Sequence, residues 1–204
     1  MNLKRILTLF LFFIAGLSFS IAQDGLSCAT ANPFCSDQSY NFPNVTGVPS
    51  PSTSGSVNYG CLQSMPSPVW YYMQVGTGGT ININLSQSTG PNGTGTGLDV
   101  DYTMWGPFSS LNSGCSAINS GNTPIQSSYS SSSTENVSIG GSGGSDDICA
   151  SGHSGQGATT PPPAAAGQYY IFFITNYSDQ AGYISFNQTN TGSSGAGSSN
   201  CAIV

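Results

Sequence analysis

Only two basic side chains, Lys4 and Arg5, occur in 204 residues, and both stand ahead of an apolar run from Ile6 to Ile14. After Arg5 there is no Lys or Arg, and a single His, His153. Nucleic-acid binding draws on Lys and Arg to neutralise phosphates, so no nucleic-acid partner is expected, and no attraction to an anionic membrane surface either. Conventional ion pairs are equally excluded, which leaves apolar burial, hydrogen bonds and disulfides to hold the fold. Long apolar runs are missing too. The stretch after Arg5 is shorter than the roughly 18 residues a membrane span needs. It reaches Ser20-Ile21-Ala22 before Gln23, the small-x-small form of a signal-peptidase site. Residues 1–22 therefore read as a cleaved signal peptide, and the remainder as secreted or surface-located, or periplasmic if no outer-membrane sorting domain follows. Trypsin is expected to leave that remainder whole even when it is reduced and unfolded. Fragments from a denatured tryptic digest would show that the mature start is wrong.

What is present points to an ordered β domain. Charged residues make up 5% of the chain, yet ten Tyr, ten Phe and two Trp, even discounting the Phe in the signal, supply a core that a disordered Ser/Gly-rich chain lacks. Six cysteines, Cys28, Cys35, Cys61, Cys115, Cys149 and Cys201, all follow the signal, as disulfides of an oxidising compartment do. None forms a Cys-x-x-Cys pair, and one His cannot complete a usual zinc set. The pairing expected is Cys28 with Cys201, Cys35 with Cys61 and Cys115 with Cys149, since the termini of a sandwich often lie close together.

Strand signals recur along the chain. An edge strand is expected over 39–45, where Pro43 keeps it from a sheet centre. Strands 69–75 and 80–86 flank Gly76-Thr77-Gly78-Gly79 as a hairpin, and 168–176 with 182–189 flank 177–181 as a second one. A short strand covers Glu135 to Ile139. Tyr170-Ile171-Phe172-Phe173-Ile174 is apolar on both faces and marks a central strand. No helix is expected outside the signal; 111–133 reads as polar loop and 140–166 as a low-complexity insertion. The fold class is all-β, an antiparallel β-sandwich of jelly-roll type with long Gly/Ser-rich loops. It occupies 23–190, followed by a C-terminal tail, 191–204, tied by Cys201.

The stretch Leu98-Asp99-Val100-Asp101-Tyr102-Thr103-Met104-Trp105-Gly106-Pro107-Phe108 carries the most chemistry. Alternation places Val100, Tyr102 and Met104 on one face and Asp99, Asp101, Thr103 and Trp105 on the other. Two carboxylates brought together with no basic neighbour call for another cation, so Asp99 and Asp101, with Glu135, are candidate ligands for calcium. The competing account has Asp101 accepting backbone or Tyr hydrogen bonds while Asp99 is solvated. The same two acids have a spacing a glycosidase pair would tolerate. Gly152-His153-Ser154-Gly155 departs from a nucleophile elbow at Gln156 and lacks its strand-to-helix setting. Trp70 and Trp105 are expected as core fillers rather than ligand platforms.

Trp70-Tyr71-Tyr72 with a Gly-rich turn and Thr80-Ile81-Asn82-Ile83 is followed by Asp99-Val100-Asp101-Tyr102 and Trp105-Gly106-Pro107-Phe108. Then come Glu135 before a short strand, Gly167-Gln168-Tyr169-Tyr170 and Asn176-Tyr177-Ser178. In that order these motifs resemble the pre-peptidase C-terminal (PPC) type of β-sandwich, in the version found in large surface proteins of gliding Bacteroidetes. The resemblance implies a non-catalytic accessory or surface-interaction domain, with a surface glycan or protein as partner. The rival reading is a secreted hydrolase or carbohydrate-binding enzyme fragment. A binding module should show an open acidic face near Asp99, whereas an enzyme should show a cleft with convergent polar groups and shifted pKa values.

Overall fold

The computed structural model describes residues 25–36, 40–43, 46–52, 54–141 and 163–204, and among these it contains ten strands and one α-helix. The strands are β1 (Asn32–Pro33), β2 (Tyr40–Pro43), β3 (Val69–Thr77), β4 (Ile81–Ser88), β5 (Val100–Phe108), β6 (Gln126–Ser128), β7 (Thr134–Ile139), β8 (Tyr169–Asn176), β9 (Tyr183–Gln188) and β10 (Ser198–Ser199). The helix, α1, spans Leu111–Asn119. One sheet runs β1-β3-β8-β5-β6, with β10 also on β3, and the other runs β2-β9-β4-β7. Every pair is antiparallel except β1 against β3. The all-β sandwich is thus observed. Residues 1–22, expected to be a signal peptide, Cys149 and His153 lie outside the described residues.

Alternation decides what each strand buries. From β3, β5 and β8 the inward set Tyr71, Met73, Val100, Tyr102, Met104, Tyr170, Phe172 and Ile174 meets Ile81, Ile83, Leu85, Val137, Ile139, Ile184 and Phe186 of the second sheet. The outward residues of the larger sheet are buried as well. Trp70, Tyr72, Trp105, Ile171 and Phe173 form a second cluster with Leu62, Met65 and Ile118, and Trp70 and Trp105 lie 5.7 Å apart, stacked. Both tryptophans are core, at 6% and 0% exposure. The face of β5 that carries Asp101, Thr103 and Trp105 is therefore covered too, by residues 57–67 and α1. Asp179 helps fasten that cover, accepting from Gly47 N at 2.9 Å and from the Ser67 hydroxyl.

Two expected hairpins are not hairpins. β3 and β8 belong to the larger sheet, β4 and β9 to the smaller, so each Gly-rich or polar connection is an arch from one sheet to the other. Short turns between alternating strands look alike in sequence whether the chain folds back in the plane or crosses the core. Gly79 makes the first arch possible: at φ +146° it lies so close to the C-terminal segment that a Cβ would come 2.5 Å from Gly195 O. The central place expected for 170–174 is observed, with β8 between β3 and β5.

Helix α1 corrects the expected loop over 111–133. Ser110 caps it reciprocally with Ser113, a capping box written Ser-x-x-Ser rather than with the usual Glu or Gln. Its Ser, Asn and Gly are weak helix formers. The helix persists because Gly114, Cys115 and Ile118 fall on one face against the second cluster. A Cβ at Gly114 would sit 2.5 Å from Ile171 Cδ1 and 2.6 Å from Phe108 Cδ2, so only glycine permits this approach.

The cysteine pairing also differs. Cys28 bridges Cys115, and Cys35 bridges Cys201, with Cα–Cα distances of 5.6 and 5.0 Å. Cys61 is disulfide-bonded too; the two bridges leave over Cys61 and Cys149, and Cys149 lies outside the described residues. The termini do meet, but one cysteine out of the expected register. β1 and β10 approach the same edge of β3 from opposite directions, at Tyr71–Tyr72 and at Val75–Thr77. Cys35 and Cys201 lie where these two half-length pieces converge, beside Asn200 N donating to Gln74 O at 2.7 Å. Cys28 instead sits in the covering layer, where its 3-10 turn, Cys28–Thr30, docks beside α1.

Candidate functional site

At the end of the larger sheet where β5 begins and β6 and β8 finish, Asp99, Asp101, Tyr129, Ser130, Ser131 and Tyr177 line a recess of about 290 Å³. Register explains the meeting: Asp101 stands opposite Thr175 on β8 and Tyr102 opposite Ser128 on β6. The residues that follow those two strands, Tyr177 and Tyr129–Ser131, therefore fold over the two acids. The tyrosine rings are 5.9 Å apart and perpendicular.

Asp101 is 1% exposed. Its Oδ1 accepts from Ser130 N at 2.9 Å, and its Oδ2 has no hydrogen-bond partner. Burial pushes its carboxyl up to about 8; the negative charges of Asp99 and Glu135 add to the rise, while the Ser130 N–H and the nearby Thr175 hydroxyl oppose it. Asp99, half-buried, is also raised by burial, and its Oδ1 is likewise without a partner. Tyr129 is held up at about 12 by burial and by the neighbouring Tyr177, with smaller contributions from Asp101 and Asp99.

Of the three candidate calcium ligands, the fold brings Asp99 and Asp101 to one recess. Glu135 does not line it; the side chain is 1% exposed and accepts the Ser130 hydroxyl at 2.8 Å. Among the described residues no group of three or more His, Cys, Asp or Glu is arranged to hold a metal ion. A calcium ion takes six to eight oxygens. The recess offers two carboxylate oxygens without partners, so the remaining ligands would have to come from Ser or Tyr oxygens and water. The backbone bond to Asp101 Oδ1 is the hydrogen-bonding alternative realised for one of its two oxygens.

Sequence reasoning missed Tyr129, Ser130 and Tyr177 as partners of the acids. Asn176-Tyr177-Ser178 was visible as a motif at a strand end, but only the β5–β8 register sets it over Asp99. Ser178 Oγ accepts from Asp99 N at 3.2 Å. Nothing local in the Ser-rich run around Tyr129 signals its place.

No family model matches the chain, and no curated protein matches it. Among solved structures it is similar to the pre-peptidase C-terminal domain of a collagenase from Bacillus anthracis, with a TM-score of 0.39, 9% sequence identity, and coverage of 78% of this chain and 94% of that one.

Proposed function

We propose that the chain is a secreted, non-catalytic accessory domain that binds a surface partner through the recess at Asp99 and Asp101. The observation that carries this reading is the pair of carboxylate oxygens without partners beneath two tyrosine rings, in a secreted part that has no Lys or Arg to satisfy them. Disulfides fit an oxidising, extracellular setting. The raised carboxyl of Asp101 favours the rival hydrolase reading, because a general acid has to hold its proton near neutral pH. Geometry weighs against it. Glycosidase acids flank the scissile bond from opposite sides, whereas Asp99 and Asp101 stand two residues apart at the start of β5 and line one recess, and Asp101 is buried with one oxygen held by Ser130.

Protein labelled at its α-amino group should be retained saturably by cell-surface material of the producing organism, and Asp99→Asn with Asp101→Asn should reduce retention about tenfold, or about 1.4 kcal/mol. Turnover of chromogenic glycosides or esters that disappears in the same double variant would overturn the non-catalytic reading.

A further inference from the structure

Buried carboxylate oxygens normally have donors. Asp101 Oδ2 and Asp99 Oδ1 make no hydrogen bond, although both acids line one recess, Asp101 is 1% exposed, and the Thr175 hydroxyl, itself unpaired, stands close to Asp101. Resting on the reading of this recess as a binding site, we propose that its ligand is the ε-ammonium of a lysine side chain presented by a partner polypeptide.

Three features select that group. First, the missing element is a donor of positive charge, which takes the place of the proton that burial keeps on Asp101 and which the chain after Arg5 cannot supply from any Lys or Arg of its own. Second, the acceptors suit a compact ammonium, whose three N–H bonds diverge toward separate oxygens. An arginine fork pairs two parallel N–H bonds with both oxygens of one carboxylate, and at Asp101 one of the two already accepts from Ser130 N, so the fork meets competition there. Third, Tyr129 and Tyr177 wall the same space with perpendicular rings. Ring faces attract a cation, and the rings also cover the methylene stem that carries it. A volume of about 290 Å³ holds the ammonium with its last methylenes. Calcium suits the site less well, since Glu135 does not line it and no three-acid ligand group occurs among the described residues. Tyr177, 43% exposed, is the solvent-facing wall of the recess.

The test uses the whole secreted chain and four probes: acetyl-Gly-Lys-Gly-amide, its ε-acetylated twin, acetyl-Gly-Arg-Gly-amide and calcium chloride. The lysine peptide should shift the Tyr129 and Tyr177 ring resonances saturably, and the acetylated twin should not. Asp99→Asn should weaken binding about tenfold; Asp99 is only half-buried, so this variant keeps the core. Tyr177→Leu, at an exposed position, provides an independent second variant and should weaken binding as well. Equal binding of the acetylated twin, tighter binding of the arginine peptide, displacement of the lysine peptide by calcium with the same resonances moving, or no shift at all would each overturn the inference. Failure here with surface retention intact would remove the ammonium and leave the binding reading standing. Lost surface retention with a lysine shift intact would do the reverse.

Discussion

Replacing Asp101 by Asn should stabilise the protein at about pH 8 and leave it nearly unchanged at about pH 4. The sign follows from linkage. The unfolded carboxyl titrates near 3.8 and the folded one near 8, so the folded state holds the extra proton between those values. A raised pKa gives stability that is complete below the unfolded value and is lost as pH climbs through the folded one. Each pH unit in that window costs up to about 1.4 kcal/mol, and several units accumulate to several kcal/mol. Asp99 is raised too and adds in the same direction; Asp179 is lowered by Ser67 and Gly47 and opposes, but it is exposed. Asn keeps an oxygen for the Ser130 N–H and has no charge to bury. Urea unfolding of wild type and Asp101→Asn, at mildly acidic and mildly alkaline pH without added cations, measures this directly. A wild-type stability that climbs toward alkaline pH, or an Asn variant with the same pH slope, would contradict it.

The second large effect concerns the split edge of β3. The Cys35–Cys201 bridge closes a separation of 166 residues and Cys28–Cys115 one of 87. Chain entropy grows only with the logarithm of loop length, so losing either should cost roughly 5 kcal/mol. Their structural consequences should diverge. Without Cys35–Cys201, β1 and β10 are no longer stapled beside β3, and the unpaired N–H and C=O groups of that edge become a template for another chain. Without Cys28–Cys115, the N-terminal turn loosens from α1 while the sheet edge stays covered. The double alanine variant at 35 and 201 should therefore lose stability and also associate with increasing concentration. The variant at 28 and 115 should lose comparable stability and remain in the wild-type state of association. Chemical denaturation and size-exclusion chromatography over a concentration series separate the two, and equal association in both variants would refute the edge account.

Local composition was enough to determine a good deal about this protein. The absence of Lys and Arg after Arg5 excludes Lys and Arg ion pairs within that part of the chain, whatever the fold. Period-two alternation in β4, β7 and β9, and the doubly apolar run of β8, specify strands and the side of each that must be covered, because a strand turns successive side chains to opposite faces. Tertiary structure decided the rest. Whether β3–β4 and β8–β9 fold back or cross the core is decided by the sheet in which the second strand finds its partners, and a Gly-rich or polar turn allows both. Helix α1 exists because Cys115 and Ile118 find a surface to cover, against the weak propensity of its Ser, Asn and Gly. The disulfide partners follow from β1 and β10 sharing one edge and from the covering layer over Trp70 and Trp105. The acids were legible as a pair, but their chemistry was not. Asp101 is a raised, half-satisfied carboxyl only because that covering layer and the loop after β6 remove it from water and bring Ser130, Tyr129 and Tyr177 around it. Desolvation of that kind is a property of what is packed over a residue, and the sequence on either side of it does not specify what that will be.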